Sequence, residues 1–191
     1  MIYIDNNIDG FDLDEALMAV SPQRREYALR FRQERDQRLC VAAYRLLQRA
    51  LATEYGIFEA PVFSYTGQGK PLLEGHPAIH FSLSHCRLAV ACALSDRPVG
   101  IDIETIDHYD EQVALTVMNE AEMDLIKSLP DHSLTFTRLW TMKESLFKLT
   151  GDDAHGDIRN MLAKCDNVHF NTTIHHNYLC TTCNFINNTD D

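Results

Sequence analysis

The segment Val99-Gly100-Ile101-Asp102-Ile103-Glu104 limits what this chain can fold into more than any other. A run this apolar belongs in a strand, where alternate residues share a face. Asp102 and Glu104 then stand side by side, with Ile101 and Ile103 turned the other way. Like charges on one face repel and raise each other's pKa unless a cation lies between them. About forty residues later, Trp140 to Lys148 reads as a helix that carries Glu144 with Lys143 and Lys148 inside two turns. A fold that brings this helix against that strand gathers three acids and nearby ammonium groups. Those are the parts for holding a divalent metal and a polyphosphate.

The 191 residues suit one or two compact domains with a sizeable core. No apolar run approaches the roughly 20 residues of a membrane span. Met1 to Asp5 lacks the basic start and apolar core of a signal peptide, so a soluble cytoplasmic protein is expected, with no membrane partner. Cys40, Cys86, Cys92, Cys165, Cys180 and Cys183 are scattered through apolar segments without a disulfide-like spacing, as reduced and mostly buried thiols are. Cys180 and Cys183 form a CxxC with His175 and His176 nearby, but strand residues three apart face opposite sides, so buried hairpin positions are expected rather than zinc ligands.

The net charge of −11 argues against nucleic acid as the main partner. The charge is uneven. Arg24, Arg25, Arg30, Arg32, Arg35, Arg38, Arg45 and Arg49 crowd into one tract, while the start (Asp5, Asp9, Asp12, Asp14, Glu15) and the end (Asp190, Asp191) are acidic. The tract reads either as a surface for an anionic partner or a phosphate ligand, or as a solvated helix face laced with Glu26, Glu34 and Asp36.

Along the chain, Ile2 to Ile4 is expected as a short strand and Asp12 to Val20 as a short helix. Ser21-Pro22 is a good helix start, opening a helical tract to about Tyr55 that breaks near Phe31 to Glu34, with Gly56 as its C-cap. Leu39, Ala42, Ala43, Leu46, Leu47, Ala50 and Leu51 make one apolar stripe on it. Strands are expected at Pro61 to Tyr65, Ala78 to Leu83, Leu88 to Leu94 and Val99 to Glu104, with Gly67, Gly69, Pro71, Gly75 and Pro77 punctuating the first gap. Asn119 and Glu122 form a capping box for a helix to about Leu129. A longer helix runs from Ser133 to Leu149, closed by Gly151, and Asn167 to Ile174 pairs with Tyr178 to Phe185 as a hairpin. The order predicts an α+β fold of two similar halves, 1–98 and 99–191, with a cleft between them where ligands bind.

Within the Ser133 to Leu149 helix, Thr137, Thr141, Glu144 and Lys148 make a polar stripe beside an apolar face of Phe136, Trp140 and Phe147. Gly67-Gln68-Gly69-Lys70-Pro71 is a glycine-rich turn that delivers a lysine, without the spacing of a P-loop. Phe81-Ser82-Leu83-Ser84-His85-Cys86 sets hydroxyls on alternate positions beside a histidine. It lacks a nucleophile-elbow pattern, and Ser84 with His85 suits phosphate contact.

The segments Gly69 to Pro71, Phe81 to Cys86, Gly100 to Glu104 and Trp140 to Lys148 resemble, in order and spacing, the motifs of the 4′-phosphopantetheinyl transferases. The length and the arginine-rich opening resemble the surfactin-synthetase-activator type, in which two α/β half-domains are fused as a pseudo-dimer. The resemblance covers about residues 20–150. It implies that coenzyme A and Mg²⁺ (or Mn²⁺) bind between the halves of a monomer. A serine of an apo acyl- or peptidyl-carrier protein then attacks the β-phosphorus, and 3′,5′-ADP leaves. By the same resemblance Asp102, Glu104 and Glu144 are the metal-binding acids and Lys148 lies near the pyrophosphate; Glu144 is also the family's candidate general base, with a metal-bound water or a further carboxylate as the alternative because a carboxylate held by the metal is a weak base. Lys70, Pro71, Ser84 and His85 match coenzyme A contacts, with His85 at the 3′-phosphate and Arg24 at a basic position for the same group. The acidic loop Gly151 to Asp157 departs from the glycine- and lysine-bearing loop of the family. The alternative is a non-catalytic coenzyme A- or carrier-binding protein of the same fold, against which the intact acids and Lys148 speak.

Overall fold

The computed structural model describes residues 1–151 and 157–186. The chain opens with β1 (Ile2–Asp5), α1 (Leu13–Ala19), α2 (Pro22–Ala28) and α3 (Glu34–Tyr55), followed by β2 (Phe63–Tyr65), β3 (Pro71–Leu73), β4 (His80–His85) and β5 (Val90–Ser95). It continues with β6 (Val99–Thr105), α4 (Glu111–Val117), α5 (Glu120–Ser128), α6 (His132–Thr150), two short 3-10 turns, and the hairpin β7 (Val168–Ile174) and β8 (Tyr178–Phe185). Among the described residues the strands form one antiparallel sheet in the order β1-β5-β4, a second in the order β6-β8-β7, and the small hairpin β2-β3. The architecture is α+β, as the patterning predicts.

The helix ends follow local chemistry. The Ser21 hydroxyl accepts the Arg24 N–H at the start of α2, and Gly56 closes α3 at φ 65°, a conformation that costs glycine nothing. The expected break falls between Ala28 and Glu34. The capping box of Asn119 and Glu122 is formed at α5. Two elements differ from expectation. α4 has Ala114 as its only buried residue, with Val113 and Leu115 exposed, so no apolar stripe announces it; the Asp110 carboxylate holds its first turn by accepting from Gln112 and Val113. β3 begins at Pro71, a residue that punctuates a sequence yet fits the first position of an edge strand.

The main core packs the inner face of α3 (Tyr44, Leu47, Leu51) on Val90, Cys92 and Leu94 of β5. A second cluster holds Ile101 and Ile103 with Cys86, Ala91 and Tyr178. α6 lies so close to β6 that a Cβ on Gly100 would come 1.9 Å from the Ser145 carbonyl oxygen. The β4 and β6 edges meet through side chains: the Ser82 hydroxyl accepts the Ile101 N–H at 3.1 Å and the Ser84 hydroxyl accepts the Ile103 N–H at 3.3 Å. Among the described residues no helix is long and apolar enough to cross a membrane.

Candidate active site

Three elements converge on one carboxylate. β6 carries Asp102, which is only 2% exposed. β4 carries Ser84, whose hydroxyl donates to Asp102 Oδ1 at 2.7 Å. α6 carries Lys148, whose Nζ donates to the same oxygen at 2.7 Å and to Ser84 Oγ at 2.9 Å. Asp102 Oδ2 is buried and has no hydrogen-bond partner among the described residues. The strand alternation therefore holds with one change: the face bearing Asp102 is buried too, covered by α6 rather than water.

Glu104 lies further along β6, and Trp140 Nε1 donates to its Oε1 at 3.3 Å. Burial, reinforced by the charge of Asp102 and then of Glu144, pushes the Glu104 carboxyl up to about 7. Burial and the charge of Asp102 raise Glu144 as well. The three acids thus sense one another across one cleft, the repulsion that the sequence anticipates. Among the described residues, however, no three or more His, Cys, Asp or Glu side chains are drawn to ligand spacing as they stand.

A cavity of about 240 Å³ adjoins Lys148, walled by Gly69, Lys70, Pro71, Leu83 and Phe147. Lys70 Nζ donates to the Leu149 carbonyl at 3.0 Å, capping the last turn of α6, and burial lowers its pKa. His85 ends β4; desolvation and then the Lys148 charge hold its imidazole below the usual range. Beyond Glu104 a second cavity, of about 320 Å³, is lined by Thr105, Val113, Val117, Phe136 and Trp140.

Arg24 takes a different place. Its guanidinium lies over the rings of Tyr27, Tyr44 and Phe63 and donates to Cys40 Sγ at 3.3 Å. Phe63 stacks on Phe81 with centroids 5.2 Å apart, so Arg24 sits one ring behind β4. Most of the other arginines are engaged internally. Arg25 donates to the Leu17 carbonyl and Arg38 to that of Phe11. Arg35 pairs with Asp9 and Arg49 with Asp5. The acidic opening of the chain is thereby a principal counter-charge of the arginine tract, a pairing the sequence separates by tens of residues.

Lys143, grouped by sequence with the ammonium groups near the acids, turns the other way. It is fully buried, pairs with Glu122 at 2.8 Å, and donates to the carbonyls of Ile158 and Arg159 at 2.9 Å. The polar stripe of α6 is likewise packed rather than exposed, with Thr141 bonded to Thr181 of β8 at 2.7 Å. Cys180 and Cys183 are both buried and belong to different clusters, with burial pushing their thiols up to about 12 and about 11. The acidic stretch at 152–156 and the terminal Asp190 and Asp191 lie outside the described residues.

Residues 98–185 match the family model of the 4′-phosphopantetheinyl transferase superfamily. A 4′-phosphopantetheinyl transferase of Bacillus subtilis is 32% identical over 153 residues, covering 78% of this chain and 68% of the relative. The transferase psf-1 of Bacillus pumilus is 36% identical over 135 residues, covering 69% and 58%. The transferase AcpT of Salmonella typhi is 35% identical over 116 residues, covering 57% and 56%.

Proposed function

Because this chain belongs to the 4′-phosphopantetheinyl transferase superfamily, we propose that it moves the 4′-phosphopantetheine arm of coenzyme A onto a serine of an apo acyl- or peptidyl-carrier protein. The observation that carries the reading is the convergence of Asp102, Lys148 and Ser84, with two further crowded carboxyls, beside the cavity walled by Lys70 and Pro71. The carrier would belong to fatty acid, polyketide or non-ribosomal peptide synthesis. The reaction is assigned to the cytoplasm, with residues 1–98 and 99–191 as half-domains of a pseudo-dimer, so that a monomer supplies both walls of the cleft.

Asp102, Glu104 and Glu144 fit a Mg²⁺ or Mn²⁺ ion. Asp102 Oδ2 is a buried oxygen in want of a partner, and burial plus mutual repulsion leaves Glu104 and Glu144 in need of a cation. When bound, the ion neutralises charge on the diphosphate oxygens. Phosphoryl transfer otherwise asks for positioning and fixed charge. Lys148 supplies an ammonium already held in the cleft, able to turn from Asp102 to a phosphate oxygen. His85, kept neutral by desolvation, takes a proton beside a 3′-phosphate. Lys70 and Pro71 wall the nucleotide cavity. Glu144 serves as general base where it is not itself a ligand to the ion, which would hold it ionised and weakly basic; otherwise another carboxylate of the site takes the proton of the attacking serine. The serine oxygen then bonds to the β-phosphorus, the bond to the bridging oxygen breaks, and its electron pair leaves with 3′,5′-ADP. Arg24, behind the Phe63–Phe81 stack, acts from outside this contact set or after moving.

The test is intact-mass spectrometry of several apo-carriers incubated with coenzyme A. A gain of one phosphopantetheinyl group only with Mg²⁺ or Mn²⁺ present is expected, and its loss in Asp102→Asn and Glu144→Gln. No gain on any carrier, or wild-type turnover in either variant, overturns the reading.

A further inference from the structure

The hairpin β2-β3 brings Lys70 and Pro71 to the cavity wall, yet it is a two-stranded sheet with three residues in each strand. A hairpin of this size is marginal by itself. Among the described residues β2 pairs with β3 alone, so its outer edge has no strand beside it. The register shows which groups that edge leaves over. The Glu74 N–H donates to the Val62 carbonyl at 2.9 Å and the Thr66 N–H to that of Lys70 at 2.9 Å. Phe63, one residue on from Val62, therefore sits opposite Leu73 at a pair that exchanges no backbone bonds, and its N–H and C=O point outward. Gln23 takes both. Its Nε2 donates to the Phe63 carbonyl at 2.9 Å, and its Oε1 accepts the Phe63 N–H at 3.1 Å. One residue of an antiparallel neighbour makes this same two-bond exchange, supplied here by a side-chain amide.

We infer that Gln23 is a positioning residue for coenzyme A: it stands in for the missing strand, docks the hairpin on α2, and so fixes Lys70 and Pro71 against the cavity. This role rests on the transferase reading. Phe63 is the point of attachment, since its buried ring stacks on Phe81 of β4 while its backbone is held by Gln23. From Phe63 the constraint runs two residues along β2 to Tyr65, which is paired with Pro71. It continues through the turn, where the Gly69 N–H donates to the Thr66 carbonyl at 2.9 Å and the Thr66 hydroxyl accepts the Lys70 N–H at 3.1 Å. Gln23 also directly precedes Arg24 in the first turn of α2. One amide thus ties the helix that carries the basic position to the hairpin that carries the lysine. Neither Gln23 nor Phe63 lines the cavity, so a ligand that enters it displaces neither bond. Gln23 is exposed, and water can replace its amide without unfolding the chain. What falls is the fraction of molecules with the hairpin docked, and apparent affinity falls by that fraction.

The experiment takes the full chain, with 3′,5′-ADP as the probe. Calorimetry with Mn²⁺ present is expected to show Gln23→Ala binding 3′,5′-ADP about three- to tenfold more weakly. With a carrier that the wild type modifies, KM for coenzyme A should rise by the same factor while kcat stays unchanged, the split that a loss of uniform binding gives. Hydrogen exchange, read by mass spectrometry, should quicken across residues 62–74 and not in α3. Should Gln23→Ala fail to fold, Gln23→Met, of similar length and without the amide, carries the same comparison. Ser133→Ala is the control. It removes another side-chain bond to backbone, from the Tyr109 N–H at 3.0 Å, and is expected to leave 3′,5′-ADP unchanged. Quicker exchange in the hairpin at unchanged 3′,5′-ADP affinity would make Gln23 an edge seal only and overturn the inference. A fall in kcat at unchanged KM would overturn it too, as would equal weakening in Ser133→Ala. A wild-type chain that neither binds 3′,5′-ADP nor modifies any carrier overturns the transferase reading, and the coenzyme A role of Gln23 with it; exchange in the hairpin still reads whether Gln23 docks β2.

Discussion

A buried carboxylate such as Asp102 is tolerated because an ammonium and a hydroxyl share its charge; without them it would be an expensive group in an apolar strand. The same dependence on surroundings makes other single residues testable. His85 has its pKa held down by desolvation, so below about 6.5 the unfolded chain takes up a proton that the folded chain resists. Stability is then lost as the pH falls through that range. His85→Asn should show a smaller drop in melting temperature between pH 7.5 and pH 5.5 than the wild type; an equal drop would place the effect elsewhere. The thiols follow burial as well. Burial pushes Cys92 and Cys180 to about 12 and Cys183 to about 11, while Cys165 is the one left half-buried. A thiol reagent at pH 8 should modify Cys165 first and reach the other three only after denaturation, as peptide mapping would show. That the cysteines are buried is legible from their apolar neighbours; which of them the solvent reaches is a matter of packing.

α6 is the element on which the site turns, since it presents Glu144 and Lys148 to β6 and Lys143 to α5. Its start, length and closing Gly151 follow from patterning within a few residues. Its depth against the sheet does not. Gly100 sets that depth, and Gly100→Ala should cost about 1–3 kcal/mol or more by forcing the helix outward, read by urea denaturation, with Mn²⁺ binding lost alongside. Lys143→Met should cost about 3–5 kcal/mol, because it strands Glu122 as an unpaired buried charge. Adding Glu122→Leu should restore most of that loss; a double variant as unstable as the single one would refute the pairing. In sequence Lys143 and Lys148 are equivalent lysines flanking Glu144. Their positions around the helix send one to a structural clamp and the other to the acids.

On the scale of the molecule, β4 and β6 share side-chain bonds, and Lys70 reaches the end of α6 from the β2-β3 hairpin. A ligand in the cavity beside Lys148 would therefore touch both the β2-β3 and β4 segments and the end of α6. One cooperative melting transition is expected, raised by about 2.7 kcal/mol when 3′,5′-ADP with Mn²⁺ is present at a hundred times its Kd. Two transitions of which the ligand moves only one would contradict this. Side-chain alternation and the helical period operate over a handful of residues, so the sequence by itself determined the α+β order, most element ends and the pairing of acids on β6. The ordered motifs likewise made the chemistry legible before any fold. The tertiary structure alone decided who neutralises whom: Lys148 on Asp102, Lys70 on the Leu149 carbonyl, Arg35 on Asp9 and Arg49 on Asp5. Those partners lie tens of residues apart, and a charge finds its counter-ion through packing in three dimensions, which no local pattern encodes.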